Sequence, residues 1–173
     1  IKIYTAYEEA CQRGGLVDFG ELLLRSHELW LNKPELLAHY QQCFRFLLVD
    51  EFQDTNTIQY AWLRVLAGGQ SYITAVGDDD QSIYGWRGAQ IENIQRFTQH
   101  FPNVHTVRLE QNYRSTATIL KAANAVIDNN RGRMGKELWT DSVEGDLISV
   151  FAAFNEQEEA RFIVDRIRAS APG

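Results

Sequence analysis

Phe44-Arg45-Phe46-Leu47-Leu48-Val49-Asp50-Glu51-Phe52-Gln53-Asp54 passes from an apolar run straight into a cluster of acids. The apolar part, broken only by Arg45, predicts a strand over 44–49, because buried parallel strands read as near-continuous apolar runs. The same pattern recurs downstream and predicts strands over 72–76, 104–109 and 147–154. Helical stretches alternate with them. Asn56 opens a helix running to Gly68-Gly69, and 91–100 is a helix ended by Pro102. Ser115 caps a long helix to about 129, and Asn155 with Glu158 caps the last one. Strands alternating with helices of this length give an α/β fold with a parallel sheet. In such sheets chemistry gathers at the carboxyl ends of the strands.

Upstream of Phe44 the chain reads as helix throughout. Residues 3–13 place Tyr4, Tyr7 and Cys11 on one face, and Gly14-Gly15 stops that helix. Asp18 and Glu21 form a capping box opening a second helix with Phe19, Leu22, Leu23 and Trp30 on its apolar side. Pro34 suits the first turn of a third helix to about 42.

Composition bounds the function. The 173 residues are 45% hydrophobic and 23% charged, which excludes a disordered or low-complexity chain. No apolar run approaches the ~20 residues of a membrane-spanning helix. The N-terminus, Ile1-Lys2-Ile3-Tyr4, has neither an initiator Met nor a signal-peptide layout, and the chain reads as an internal piece begun in mid-helix. Cys11 and Cys43 build no disulfide framework or zinc spacing and are expected to be buried thiols in a reducing cytoplasm. The four histidines (His27, His39, His100, His105) contain no His-x-x-x-His pair. Net charge is −6, yet Arg108, Arg114, Lys121, Arg131, Arg133 and Lys136 face only Glu110 and Asp128 between 108 and 136. Such a stretch suits a phosphate backbone, or equally a solvated positive face.

Three strand ends carry chemistry. After the first come Asp50 and Glu51. An Asp there suits the water shell of Mg²⁺, since hard cations take oxygen ligands. The adjacent Glu suits orienting and deprotonating the water that attacks a γ-phosphate. An acidic turn at a helix start is the simpler alternative for a bare pair. After the second strand comes Gly77-Asp78-Asp79-Asp80-Gln81-Ser82-Ile83-Tyr84-Gly85-Trp86-Arg87-Gly88-Ala89. An EF-hand counted from Asp78 needs Glu at its twelfth position and finds Ala89. Gln81 can bond a phosphate oxygen and a water. Tyr84 and Trp86 beside Arg87 make a platform for unpaired bases, or fill the core. After the third strand, Arg114 precedes a helix start, where a cation is not the dipole's choice, so a role beside a γ-phosphate is favoured. Tyr113 next to it suits stacking on adenine.

In order and spacing, residues 50–56, 77–89 and 110–116 resemble motifs II, III and IV of superfamily 1 helicases, closest to the UvrD/Rep/PcrA group. The flanks Gly15-Leu16-Val17-Asp18-Phe19 and Lys136-Glu137-Leu138-Trp139-Thr140 resemble it too, so the likeness covers nearly the whole chain. It implies a RecA-like parallel sheet of the P-loop NTPase type. Residues 1–43 would end a helical insertion, 44–108 would be the second half of a first motor domain, and 109–173 would begin a second RecA-like domain. The implied activity is ATP-dependent 3′-to-5′ translocation on single-stranded DNA, with unwinding at single/double-strand junctions. The setting implied is DNA repair, with repair proteins as partners, in the cytoplasm near the nucleoid. Cofactors would be ATP and Mg²⁺. Asp50 and Glu51 would serve the metal, with Glu51 the catalytic base. Gln81 would sense the γ-phosphate. Tyr84, Trp86 and Arg87 would meet DNA. Tyr113 would pack on adenine, and Arg114 would be the arginine finger.

The family's phosphate loop, and its motifs V and VI, are missing from the sequence. A phosphate loop needs Gly-x-x-x-x-Gly-Lys-Ser/Thr, and the only Gly-Lys, Gly135-Lys136, is followed by Glu137 and preceded by Asn130 where Gly should stand. The chain by itself is therefore expected to be inactive as an ATPase. The alternative function is a short module that binds single-stranded DNA or a partner without hydrolysis; the acids Asp50 and Glu51 and Arg114 argue against it, because a pure binder has no use for them.

Overall fold

The computed structural model describes residues 1–69 and 71–170. They divide into two compact units, Ile1–Val107 and Arg108–Gly173.

In the first unit, helices α1 (Lys2–Gly14), α2 (Phe19–Asn32) and α3 (Pro34–Cys43) precede strand β1 (Phe46–Val49). Helix α4 (Thr57–Ala67), strand β2 (Tyr72–Ala75) and helix α5 (Glu92–His100) follow. Local signals set these bounds. Gly15 closes α1 in the left-handed region at φ 62°, and Leu16 N donates to Cys11 O at 2.9 Å. The Asp18 carboxylate accepts from Glu21 N at 2.7 Å, but the expected box is only half formed, because the Glu21 carboxylate pairs with Arg25 at 2.6 Å. At α4 the box is complete: Asn56 and Gln59 exchange side-chain-to-backbone bonds at 2.9 Å each.

Strands β1 and β2 pair in parallel, with Phe46 opposite Tyr72 and Val49 opposite Ala75. Their inner residues Leu47, Val49, Ile73 and Ala75 pack on a buried cluster of Phe52, Tyr60, Leu63 and Phe97. The three rings of that cluster meet edge to face, Phe52 lying 5.7 Å from Tyr60 and 5.4 Å from Phe97. The outer residues Phe46, Leu48 and Tyr72 are exposed, so burial alternates along strands whose sequence does not. Helix α2 meets α4 through Trp30 and Trp62, whose rings lie 4.6 Å apart, while Trp62 Nε1 donates to Ser26 Oγ at 2.9 Å. Of the apolar side expected for α2, Trp30 is buried, whereas Phe19 is 92% exposed.

The second unit holds α6 (Ala117–Ile127) and α7 (Glu156–Ser170). Asn155 caps α7, its Oδ1 accepting from Glu158 N at 2.9 Å. Thr116, not Ser115, stands at the N-cap of α6, with no side-chain cap bond. The first free amides of α6 are met instead by carbonyls from a distant turn: Ala117 N donates to Val143 O at 3.2 Å and Thr118 N to Glu144 O at 3.0 Å.

The fold is mixed α/β, and among the described residues its sheet has two parallel strands, β1 and β2. Two expectations are corrected. Segments 104–109 and 147–154 carry no ladder, because a strand exists only through a paired neighbour and these have none; a single bridge joins Gln111 to Trp139. The thiols are not buried: Cys11 is half-buried, and Cys43 is exposed with Sγ 3.7 Å from His39 Nε2. No helix among the described residues is long and apolar enough to cross a membrane.

Candidate active site and nucleic-acid platform

Parallel pairing brings the carboxyl ends of β1 and β2 side by side. Val76 N donates to Val49 O at 2.8 Å, and Phe52 N to Val76 O at 2.9 Å, so the ladder continues past both strands into the loops. The β1 loop opens with Asp50 and Glu51, both exposed. Glu51 stands in the left-handed region at φ 50°, ψ 43°, which costs a non-glycine residue about 1–3 kcal/mol and occurs preferentially at functional sites. The Asp50 carboxylate steadies this turn by accepting from Glu51 N at 2.9 Å. Next, Gln53 turns inward and is 1% exposed. Its Nε2 donates to Glu51 Oε2 at 2.7 Å, and its Oε1 accepts from Asp78 N at 3.0 Å.

Asp50, Glu51 and Asp54 line one cavity of about 420 Å³ together with Val49, Thr55 and Gln59. Asp54 Oδ1 is buried there without a hydrogen-bond partner. A carboxylate oxygen desolvated in this way is a ligand for a hard cation, and the donor set is all oxygen, so the residues fit Mg²⁺. The Asp78, Asp79 and Asp80 carboxylates also gather within 4.8 Å, on the β2 loop. Asp78 is occupied locally: Oδ1 accepts from Asp80 N at 3.0 Å and Oδ2 from Gln81 Nε2 at 2.7 Å.

Beyond Gln81 the β2 loop carries an aromatic platform. Tyr84 precedes a short 3₁₀ turn, Gly85–Arg87, and Trp86 lies within it, their ring centroids 6.5 Å apart. The Arg87 guanidinium lies 4.9 Å from the Tyr84 ring centre and 4.6 Å from that of Trp86. Trp86 is 76% exposed, so core filling does not account for it, whereas Tyr84 is half-buried. The platform's far end is tied back to the β1 loop. Gln90 N donates to Thr55 O at 3.0 Å, and the buried Asn93 Nδ2 donates to the same oxygen at 3.0 Å. Thus the first unit brings Asp50, Glu51, Gln81, Tyr84, Trp86 and Arg87 onto two adjoining loops.

Tyr113 and Arg114 belong to the second unit. Both are exposed, on a turn held by Asn112, whose Oδ1 accepts from Arg114 N at 3.0 Å and Ser115 N at 2.8 Å. Tyr113 donates its hydroxyl to Gln111 Oε1 at 2.7 Å, leaving its ring 86% exposed. Much of the basic stretch is engaged locally: Lys121 pairs with Glu144 at 3.0 Å, Arg133 with Asp128 at 3.3 Å, and Arg108 donates to Met134 O at 3.2 Å. That favours the solvated positive face over a phosphate track.

Sequence reasoning missed the residues that join the two loops, Gln53, Gly77 and Asn93. Gly77 had a signal, a glycine directly after an apolar strand. A Cβ there would lie 2.8 Å from Gln53 Oε1 and 3.2 Å from Phe52 N.

The family model of the UvrD/REP helicase N-terminal domain matches residues 1–102, and that of the UvrD-like helicase C-terminal domain matches 107–172. DNA helicase II of Salmonella typhimurium is 68% identical over 167 residues, and that of Escherichia coli 67% identical over 167 residues. An ATP-dependent DNA helicase PcrA from Leuconostoc citreum is 49% identical over 167 residues. These matches cover 96% of this chain but only 23% of each DNA helicase II and 22% of the PcrA protein.

Proposed function

The chain belongs to the UvrD/REP helicase family, and we propose that it is part of an ATP-dependent DNA helicase. It would contribute the hydrolytic carboxylates, a single-stranded DNA platform and an arginine finger. Residues 1–43 would end a helical insertion, 44–108 the first motor domain, and 109–173 would begin the second. The observation that carries the reading is the adjacency of two loops, one with Asp50 and Glu51, the other with Tyr84, Trp86 and Arg87, joined at both ends by hydrogen bonds.

The chemistry follows from the side chains. Asp50 and Glu51, with Asp54 behind them, would hold Mg²⁺, which would supply neutralisation of phosphate charge. Glu51 orients the attacking water and takes its proton. Gln81, held by Asp78 at 2.7 Å, presents its amide toward the γ-phosphate. Tyr84 and Trp86 stack on bases, and Arg87 couples that platform to the hydrolytic loop. Tyr113 packs on adenine. Arg114 stabilises the charge that develops in phosphoryl transfer. The substrates are single strands and junctions, translocation runs 3′ to 5′, and the setting is DNA repair beside repair proteins in the cytoplasm.

Unwinding by the complete gene product tests this. With ATP and Mg²⁺, a duplex with a 3′ single-stranded tail should be separated and one with a 5′ tail should not. Equal unwinding of both, or of neither, overturns the proposal. The 173-residue chain alone should not hydrolyse ATP; DNA-stimulated hydrolysis by it, lost in Glu51→Gln, would overturn that part.

A further inference from the structure

Tyr113 keeps 86% of its surface open to solvent, so little packing fixes its ring. An exposed tyrosine has several staggered rotamers open to it. Here the hydroxyl is tethered, donating to Gln111 Oε1 at 2.7 Å. Gln111 is half-buried and is itself held. Its Nε2 donates to Asp141 Oδ2 at 3.0 Å. Its backbone bridges to Trp139, with Asn112 N donating to Trp139 O at 2.7 Å and Trp139 N to Glu110 O at 3.1 Å. A line of side chains thus runs from Asp141 through Gln111 to the Tyr113 ring, within the second unit.

Asp141 sets the direction of this line. An ionised carboxylate only accepts, so it takes the Nε2 of Gln111 and turns Oε1 toward Tyr113. The hydroxyl must then donate. Its proton is used within the chain, and the ring is left to meet a ligand with its face. Asn112 fixes the backbone of the same turn by accepting from Arg114 N and Ser115 N, so backbone and ring are held by different neighbours. A ring ordered before binding loses less freedom when a base arrives. Resting on the reading of Tyr113 as the surface that packs on adenine, we infer that Gln111 is a positioning residue for the nucleotide base. It holds the Tyr113 ring in its stacking orientation, and Asp141 fixes the sense of its carboxamide.

The test measures ATP hydrolysis by the complete gene product. Gln111→Met keeps the volume and removes both side-chain bonds. KM for ATP should rise about 3–10-fold while kcat stays within about twofold, the pattern of lost ground-state binding. Tyr113→Phe keeps the ring and removes only the donor, so it should give the same rise. Adding Gln111→Met to Tyr113→Phe should then change KM by less than about 1.5-fold. Gln111→Glu sets a second carboxylate against Asp141 and should also raise KM. Adding Asp141→Asn supplies an amide donor to that carboxylate, whose other oxygen still accepts from Tyr113, so KM should return to within about twofold of wild type. If Gln111→Met does not fold, this rescue carries the test alone. An unchanged KM in Gln111→Met, an additive rise when it is combined with Tyr113→Phe, or no rescue by Asp141→Asn overturns the inference. Tyr113→Ala separates that failure from the failure of the wider reading. A raised KM there keeps Tyr113 on the base, whereas an unchanged KM removes Tyr113 and Gln111 from nucleotide binding together.

Discussion

The guanidinium of Arg87 lies 4.6 Å from the centre of the Trp86 ring, and Trp86 keeps 76% of its surface open to solvent. A cation seated against an exposed indole orients that ring without covering it. Trp86 is the platform's anchor on this reading. Trp86→Ala should weaken single-stranded DNA binding by about 1–3 kcal/mol, roughly 5–150-fold. Fluorescence titration with an oligonucleotide checks this, and the same variant identifies which of the four tryptophans is quenched. Affinity within about twofold of wild type would remove Trp86 from the interface.

Gly77 has no room for a side chain: a Cβ there would fall 2.8 Å from Gln53 Oε1 and 3.3 Å from Gln53 N. Gly77→Ala should cost about 1–3 kcal/mol as overpacking, because the near atoms are backbone and a buried amide rather than a flexible tip. Chemical denaturation measures it. An unchanged midpoint would show that the two loops give way freely.

Tyr60 is 4% exposed and its hydroxyl lies 2.9 Å from His100 Nδ1, tying α4 to α5. Desolvation, helped by Arg64 and Arg96, lowers the His100 pKa below its ordinary 6.5. The fold therefore favours the neutral ring, which accepts from Tyr60. The sign follows: this contribution is complete above the unfolded value of about 6.5 and is lost as pH falls through the folded value. Thermal melting from about pH 7.5 downward should show wild type losing stability relative to His100→Gln, which accepts the same bond without titrating. Parallel curves would contradict the assignment.

Asn56 and Gln59 close the reciprocal cap of α4 at 2.9 Å each. Asn56→Ala should destabilise by about 0.5–2 kcal/mol. Because α4 supplies Tyr60 and Leu63 to the core, the loss should appear in global unfolding rather than as local fraying.

Legibility from sequence followed the range of each interaction. Asn56, Gly15 and Asn155 act within four residues, and each does what its type and position predict. Asp50 and Glu51 stand just beyond β1 for the same reason. What depended on distant partners was not legible. The apolar runs over 104–109 and 147–154 have strand composition but no strand beside them. Ser115 yielded its capping role because carbonyls of Val143 and Glu144 reach the amides of α6 first. The Gln53 link joins residues 25 apart, and nothing in a local pattern distinguishes it from a surface glutamine.

The most direct measurement is steady-state ATP hydrolysis by the complete gene product, with and without single-stranded DNA, for wild type and Glu51→Gln. The account predicts Mg²⁺-dependent hydrolysis stimulated by DNA in the wild type, falling by at least about 100-fold in Glu51→Gln. Hydrolysis undiminished in Glu51→Gln, or none in the wild type, would contradict it.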